Sequence, residues 1–252
     1  MRETLRGKTA LVTGGATRIG RALCIALAEE GANVVVHQRK GDDRGPEMAA
    51  ALSARGVDAW LVGADFEKPD EYESLIARAA AKAGHLDMLI NNAAIFPTNA
   101  LEDVTLPDID RAMQVNAWVP FALGRDFARL AGKGKIVNVL DTRIRGYDWT
   151  HAAYILSKQA LALLTRMSAL RFAPEVTVNA VAPGLILPPA NKGMDYLEAL
   201  AGSVPLRRHG SPRDVADAAI YLLTSAFVTG QVIYVDGGMH LTEGTCGPHH
   251  HQ

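Results

Sequence analysis

Hydrophobic and polar positions follow two alternating patterns along the chain. Short, continuous apolar runs rich in Val, Ile and Leu are typical of parallel strands that are covered on both faces. Seven such runs predict strands, namely Thr9–Thr13, Asn33–Gln38, Trp60–Ala64, Met88–Asn91, Lys135–Leu140, Thr177–Ala182 and Gln231–Val235.

The segments between these runs carry apolar residues at helical spacing. Ile19, Ala22, Leu23, Ala26 and Leu27 lie on one face of a helix with 3.6 residues per turn. Similar stripes predict helices over Leu75–Ala83, Ile109–Leu130, Ala152–Phe172 and Val215–Leu223. Regular alternation of strands and helices indicates an α/β fold, a single doubly wound domain of the Rossmann type. Its seven-stranded parallel sheet carries helices on both faces and binds ligands at its carboxyl edge.

Two segments interrupt this alternation. Leu185–Leu206 contains three prolines and two glycines between a strand and a helix. A loop of that length at the carboxyl edge is expected to act as a substrate lid. The second segment is the end of the chain, which divides it into a domain over 1–243 and a tail over 244–252. The tail's three histidines, His249 to His251, are expected to be a frayed end and not a metal site.

Composition narrows the class of protein. The 252 residues are 48% apolar and 21% charged, as in ordinary globular domains, and the net charge is −1. Such a balance attracts neither nucleic acid nor a membrane surface, and no metal site is predicted. Two cysteines are too few for a disulfide framework, and no secretory signal pattern is found at Met1–Lys8. A cytoplasmic protein is expected.

A glycine-rich turn follows the first strand and opens the first helix. It contains Gly14, Thr17, Arg18, Ile19 and Gly20. Glycines here let the backbone turn sharply and let a pyrophosphate approach bare amides at a helix N-terminus. The position between strand and helix favours dinucleotide binding over a tight turn that binds nothing.

The end of the second strand predicts the type of dinucleotide. A ribose 2′-hydroxyl usually meets an acidic residue here, whereas a 2′-phosphate needs cations. The sequence His37-Gln38-Arg39-Lys40 supplies cations, so NADP(H) is expected. The alternative is a solvated basic strand end, whose field Asp42 and Asp43 would partly offset.

Tyr154 and Lys158 are the candidate catalytic pair. They lie four residues apart near the start of a predicted helix and therefore share a face. An ammonium beside a phenol lowers the pKa of the phenol, which makes the tyrosine a usable acid or base. A tyrosine and a lysine at this spacing often occur by chance. Here the pair follows a predicted strand and a cofactor-binding turn, which makes it specific.

These features together resemble the short-chain dehydrogenase/reductase family over about residues 7 to 241. Matching elements are the turn at 13–20, Asp65, the run at 91–94, Asn116, Tyr154 with Lys158, Pro183-Gly184 and the run at 235–238. The resemblance implies that Asp65 contacts the adenine and that Asn91 and Asn92 border the cofactor. It implies that Lys158 holds the nicotinamide ribose and that Asn116 anchors a water linking Lys158 to solvent. The remaining cofactor contacts expected are Phe66, Ala93, Ala94, Pro183, Gly184 and Ile186. It also implies a homotetramer, with contacts at Gln231–Val235 and Ala152–Phe172.

Two positions depart from the general family pattern. Arg18 stands where the turn usually has a central glycine, and Asp141 stands where the catalytic serine is usual, thirteen residues before Tyr154. A carboxylate only accepts hydrogen bonds and opposes a phenolate, so Asp141 suits a tyrosine that starts protonated.

Arg18, Asp141 and Phe96 together resemble the pteridine and dihydromonapterin reductases. The resemblance implies a flat pterin stacked on Phe96, with Arg18, Asp141 and Tyr154 around it, and reduction of a 7,8-dihydropterin to the tetrahydro form. Arg18 could instead serve only the cofactor phosphates, Phe96 could pack its loop, and Asp141 could pair with Arg143 or Arg145. His151 is expected to start a helix and not to act as a base.

Other functions remain open at this point. The first is reduction of another carbonyl substrate, such as a 3-oxoacyl thioester, a sugar or a quinone. The second is a non-catalytic NADP-binding sensor, which would have no chemical need for a lysine beside Tyr154.

Overall fold

The computed structural model describes residues 3–41, 43–189 and 192–242. The predicted tail at 244–252 and Asp42 therefore lie outside the described residues. Within them, seven strands form, at β1 Thr9–Val12, β2 Asn33–Gln38, β3 Ala59–Gly63, β4 Met88–Asn91, β5 Gly134–Val139, β6 Val176–Pro183 and β7 Val232–Val235. They build one parallel sheet in the order β3-β2-β1-β4-β5-β6-β7.

Nine α-helices connect the strands of the described chain. They are α1 Arg18–Glu29, α2 Gly45–Ser53, α3 Pro69–Glu73, α4 Leu75–Ala83, α5 Leu106–Met113, α6 Val119–Ala131, α7 Ala152–Phe172, α8 Asp195–Ala201 and α9 Pro212–Thr224. A π-helical turn, Gln114–Trp118, joins α5 to α6. No helix in the described ranges is both long and apolar enough to cross a bilayer.

The apolar strands are buried because helices cover both faces of the sheet. One core packs α1 and α9 against β1 and β2 and includes Leu27, Val34 and Ile220. The other packs α4 and α6 on the opposite face and includes Leu75, Leu89 and Phe127. The doubly wound fold predicted from the apolar runs is confirmed.

The strand order places the binding crevice. The chain runs outward from β1 to β2 and β3, returns to β4 on the other side of β1, and then runs outward through β5, β6 and β7. Helices cannot fill the space between loops that leave in opposite directions, so a crevice opens at the carboxyl ends of β1 and β4.

Several predicted boundaries change in the structure. The single helix predicted over Ile109–Leu130 is α5, the π-helical turn and α6. The helix predicted from Val215 begins at Pro212, because Ser211 and Asp214 form a capping box before the apolar stripe. Helices α2, α3 and α8 have no predicted counterpart, and α8 occupies part of the segment interpreted as a loop, Leu185–Leu206.

Candidate active site

The glycine-rich turn has the geometry that a close phosphate approach needs. Gly14 has φ +62°, and a Cβ on Gly20 would lie 2.0 Å from the Gly14 carbonyl oxygen, so neither position tolerates a side chain. Thr17 is the N-cap of α1, yet its side chain makes no capping hydrogen bond. Thr17 therefore does not cap the first amides of this helix, which can donate hydrogen bonds to an anion.

Asn92 supports the turn from the neighbouring strand. Its side-chain amide donates to the carbonyl oxygens of Thr13 (2.9 Å) and Gly14 (3.2 Å). The Thr13 hydroxyl in turn accepts from the main-chain amides of Asn92 and Ala93. These bonds fix the turn across the point where β1 and β4 diverge.

His37 supports the same turn from beneath. Its Nδ1 accepts from the Gly14 amide (3.1 Å), and its Nε2 lies 3.1 Å from the Ala64 carbonyl oxygen, to which it can only donate. The ring is buried and stacks on Phe66 at 4.7 Å. Burial lowers the pKa of His37 to about 4. Both ring nitrogens are engaged by the protein's main chain, and the contact of His37 with the cofactor stays a prediction.

A basic cup forms beyond the end of β2. Its lining residues are Arg39, Lys40, Gly41, Asp43, Arg44, Asp65 and Lys68. Arg39 is paired with Asp65 (3.1 Å) and Lys40 with Glu71 (3.0 Å), while both cations stay mostly exposed. The lining thus contains four cations and two acids, and Arg44 and Lys68 lie beside the predicted pair Arg39 and Lys40.

Asp141 and Tyr154 meet at the carboxyl end of β5. The Tyr154 hydroxyl donates to Asp141 Oδ2 at 3.0 Å, and the Arg143 main-chain amide donates to Asp141 Oδ1 at 2.8 Å. Burial first, and then the Asp141 charge and this hydrogen bond, raise the pKa of Tyr154 well above its ordinary value. Tyr154 is therefore a protonated hydroxyl that can donate.

Lys158 is buried one turn further along α7. Its Nζ donates to the Val139 carbonyl oxygen at 2.7 Å and lies 5.8 Å from the centre of the Tyr154 ring. Burial lowers the pKa of Lys158 to about 8, and Asp141 acts in the opposite direction. The sequence predicts that Lys158 lowers the pKa of Tyr154. In the structure, burial and Asp141 have the larger effect and raise that pKa.

Asn116 lies in the π-helical turn with its side chain fully used. It accepts from the Ile95 amide (2.9 Å) and donates to the Ile95 carbonyl oxygen (3.0 Å) and to Ser157 Oγ (3.1 Å). Ser157 donates in turn to the Tyr154 carbonyl oxygen at 2.6 Å. Asn116 therefore connects the loop after β4 to the catalytic helix, and sequence reasoning missed Ser157 as the second half of that connection.

Phe96 borders Tyr154. Its ring meets the Tyr154 ring edge-on, with centres 4.6 Å apart, and the residue is 45% exposed. An exposed aromatic ring beside a protonated hydroxyl leaves a surface for a flat ligand.

Arg18 reaches across the crevice. It is the first residue of α1, has φ +51°, and its Nη2 donates to the Pro188 carbonyl oxygen at 2.7 Å. The guanidinium thus lies between the phosphate-binding turn and the segment after β6.

The remaining predicted residues lie at the same edge of the sheet. Ala94 follows β4 next to Ala93, Gly184 follows β6, and Ile186 is buried beside it. A Cβ on Gly184 would meet Asp236 at 2.5 Å, which explains the need for glycine after Pro183.

Sequence reasoning missed a network beside Phe96. It consists of Arg143, Asp148, Thr150 and His151, and the Arg143 guanidinium pairs with Asp148. No sequence pattern predicts this network, because its residues lie in an irregular segment that has neither the spacing of a helix nor the apolar run of a strand.

Comparison with known proteins adds the family. A family model described as Enoyl-(Acyl carrier protein) reductase matches residues 14–240. An uncharacterized oxidoreductase of Mycobacterium tuberculosis is 36% identical over 93% of each chain. The 3-oxoacyl-[acyl-carrier-protein] reductase FabG of Staphylococcus epidermidis is 30% identical over 93% of this chain and 99% of its own length.

A solved structure of another reductase also resembles this chain. The crystal structure of FolM alternative dihydrofolate reductase 1 from Brucella canis, complexed with NADP, superposes with a TM-score of 0.89. The two chains are 32% identical, and the match covers 97% of this chain and 98% of that one.

Proposed function

Because the chain belongs to the short-chain dehydrogenase/reductase family and is an oxidoreductase, we propose that it uses NADPH to reduce a 7,8-dihydropterin to the tetrahydropterin. The hydrogen bond from Tyr154 to Asp141 carries the proposal. A serine hydroxyl at position 141 could donate to a substrate carbonyl, whereas a carboxylate can only accept. A pterin ring has N–H groups for a carboxylate to accept, and a simple ketone has none.

The residues of the crevice fit NADPH. Gly14 and Gly20 leave the amides of α1 open to a pyrophosphate, and the basic cup offers Arg39 and Lys40 to a 2′-phosphate. The Brucella FolM structure, which contains NADP, supports the same choice. Asp65 and Phe66 at the end of β3 would border the adenine, and Asn92, Ala93, Ala94, Pro183, Gly184 and Ile186 would border the nicotinamide half.

Tyr154 supplies the proton in this mechanism. When bound, NADPH supplies the hydride to a ring carbon of the substrate. The neighbouring ring nitrogen then needs a proton, and the Tyr154 hydroxyl, held protonated by burial and by Asp141, donates it. Lys158 holds its ammonium beside the Tyr154 ring, where it would contact the ribose and offset the phenolate after transfer.

Asp141 and Phe96 orient the substrate. Asp141 has its two oxygens directed to Tyr154 and to the Arg143 amide, so it is fixed as an acceptor at the edge of the pocket. Phe96 would cover one face of a flat ring, and Arg18, placed beside Pro188, would lie at its rim.

Reduction of a 3-oxoacyl thioester is the second candidate, supported by the FabG relative. Asp141 separates the two functions, because an oxyanion forming from a ketone would lie close to a carboxylate. Like charges at that distance are unfavourable, whereas a ring N–H is a partner.

An assay of NADPH consumption by the native protein and by Asp141→Ser tests the choice. The substrates are 6,7-dimethyl-7,8-dihydropterin and ethyl acetoacetate. We expect Asp141→Ser to bind NADPH normally and to lose about 10-fold or more in dihydropterin reduction, because a buried ring donor without its acceptor costs roughly 1–3 kcal/mol. Ketone reduction should stay level or rise.

The native protein decides between the functions. If it ignores the dihydropterin and reduces the ketone well, the pterin proposal is wrong and the wider reductase assignment stands. Equal loss of both activities in Asp141→Ser would show that Asp141 serves the fold and not the substrate.

We also propose that the enzyme acts in the cytoplasm as a homotetramer. Leu163, Met167 and Leu170 form an apolar stripe on the outer face of α7, and Leu170 is 84% exposed. Apolar side chains at this spacing on one helix favour burial against another copy.

A further inference from the structure

Asp148 is a buried carboxylate beside the substrate pocket that plays no part in the mechanism above. Its side chain is 3% exposed. Oδ1 accepts from the Thr150 amide (2.9 Å) and the Thr150 hydroxyl (2.6 Å), while Oδ2 lies 3.1 Å from Arg143 Nη1 and 3.0 Å from His151 Nδ1. Burial raises the pKa of Asp148, but the hydrogen bonds from His151 and Thr150 and the Arg143 charge together lower it by more. The carboxylate therefore stays ionised.

Two of these partners, His151 and Arg143, contact the Phe96 ring. The His151 imidazole stacks on the Phe96 ring with centres 4.2 Å apart and planes 18° apart. The Arg143 guanidinium carbon lies 5.2 Å from the centre of the same ring. Because a carboxylate only accepts, the contact with Asp148 requires the proton of the imidazole on Nδ1, and this fixes the ring's orientation.

The main chain ties the two loops together at this point. Asn99 and His151 form an isolated parallel bridge, and the Ala152 amide donates to the Asn99 carbonyl oxygen at 3.1 Å. The Leu101 amide donates to the Trp149 carbonyl oxygen at 2.8 Å. The loop that carries Phe96 is thus held against the segment that precedes Tyr154.

We infer that Asp148, His151 and Arg143 are positioning residues that hold the Phe96 ring edge-on against Tyr154 and thereby set the enzyme's preference for flat, aromatic substrates. The inference deepens the proposed function, on which it rests, by assigning specificity to residues outside the family's catalytic set. A free phenylalanine side chain in a loop would sample several rotamers. Stacking on His151 removes that freedom, while Phe96 keeps 45% of its surface exposed for a substrate to contact.

Variants of His151 test this assignment. His151→Ala removes the stacked ring, and His151→Phe restores a ring without the polar contacts. His85→Ala is the matched control, since His85 is exposed and lies at the start of β4 near Thr9, at the opposite edge of the sheet. Each protein is assayed with NADPH and either 6,7-dimethyl-7,8-dihydropterin or ethyl acetoacetate.

We expect KM for the dihydropterin to rise about two- to tenfold in His151→Ala, as the loss of one aromatic pair predicts. KM for NADPH, kcat and the ketone KM should stay near the native values, and His151→Phe should recover most of the loss. Asp148→Asn should shift the dihydropterin KM in the same direction, because the amide binds His151 and Arg143 more weakly. His85→Ala should change nothing.

A double-mutant cycle with Phe96→Leu shows whether His151 acts through Phe96. We expect His151→Ala to have no further effect on the dihydropterin KM once Phe96 is replaced. An unchanged KM in His151→Ala, or equal changes for the flat and aliphatic substrates, would overturn the inference while leaving the proposed function intact.

Failure of the proposed function has a different signature. If the native enzyme does not reduce the dihydropterin, isatin, a flat bicyclic ketone, replaces it in the same comparison with ethyl acetoacetate. A preference for isatin that falls in His151→Ala and returns in His151→Phe then supports the inference by itself. A native enzyme that prefers ethyl acetoacetate to both flat substrates overturns it.

Discussion

Asp141 accepts the Tyr154 hydroxyl at 3.0 Å, and this contact governs the chemistry of the site at the scale of single residues. The same tyrosine beside a serine and a lysine would titrate lower and could serve either as an acid or as a base. Here burial and a carboxylate both favour the protonated form. A proton donor for reduction is what this environment provides.

Tyr154→Phe tests that donor directly. We expect roughly 10²–10⁴-fold lower kcat with NADPH affinity unchanged, because the substitution removes the proton and little volume. Steady-state turnover and fluorescence titration with NADPH measure the two effects. Tyr221→Phe, on the exposed face of α9, is the control. Near-normal turnover of Tyr154→Phe would identify another group as the proton donor.

His37 gives the protein a predictable response to acid. The buried ring titrates at about 4, whereas an unfolded histidine titrates near 6.5. Between these pH values the unfolded chain binds the extra proton, so stability is complete above about pH 6.5 and falls as the pH drops towards 4. The loss attributable to His37 is roughly 3 kcal/mol.

Urea unfolding of the native protein and of His37→Gln across pH 4–7.5 measures this loss. The variant should be less stable at neutral pH and should show a flatter dependence, because its amide does not titrate. His85→Gln, at an exposed position, should keep the native slope. An equally steep slope in His37→Gln would assign the acid response to other groups.

At the scale of elements, β2 and β3 end together in the basic cup. Arg39 pairs there with Asp65, and Lys40 pairs with Glu71. The cations of these pairs are mostly exposed to solvent, so the pairs contribute little to stability. They are therefore readily exchanged for a 2′-phosphate, which offers more charge and a better acceptor geometry to Arg39.

Arg39→Ala should weaken NADPH binding about tenfold or more and leave NADH binding nearly unchanged. A charge-assisted hydrogen bond to a phosphate contributes roughly 1.5–3 kcal/mol. NADH has no 2′-phosphate and therefore does not make this bond. Titration with both cofactors gives the ratio of the NADPH and NADH dissociation constants for each protein. Arg55→Ala, an exposed arginine just after α2, is the control. Equal affinity of the native protein for the two cofactors would reject the assignment.

At the scale of the whole molecule, the outer face of α7 is the surface that a single chain leaves uncovered. The helix buries Tyr154 and Lys158 on its inner face and exposes Leu163, Met167 and Leu170 on its outer face. A helix that is apolar on both sides is usually buried on both sides.

Leu163→Glu with Met167→Glu should therefore reduce the proposed tetramer to smaller species, since paired carboxylates oppose burial in a symmetric interface. Sedimentation velocity of the native and double-substituted proteins measures the change. Lys82→Glu, at an exposed position on α4, controls for added charge. A native monomer, or a mass that the double substitution leaves unaltered, would contradict the proposed assembly.

The sequence by itself determined the fold and located the candidate reacting groups. Continuous apolar runs predicted all seven strands to within about a residue, because a strand buried on both faces must be apolar throughout. Tyr154, Lys158 and the glycine turn were likewise visible, since helical spacing and backbone freedom are local properties. Helices α2 and α8 were not visible, because glycine, proline and short length hide their pattern.

Only the tertiary structure decided how the site is supported and charged. Whether Lys158 or Asp141 controls the pKa of Tyr154 depends on burial and on distances between segments far apart in sequence. Phe66, His37 and Gly14 come together from three separate segments of the chain, and Phe96 and His151 come together from two. A sequence records which groups are present and their local spacing, but contacts between distant segments exist only once the chain has folded, and these contacts set burial, pKa and orientation.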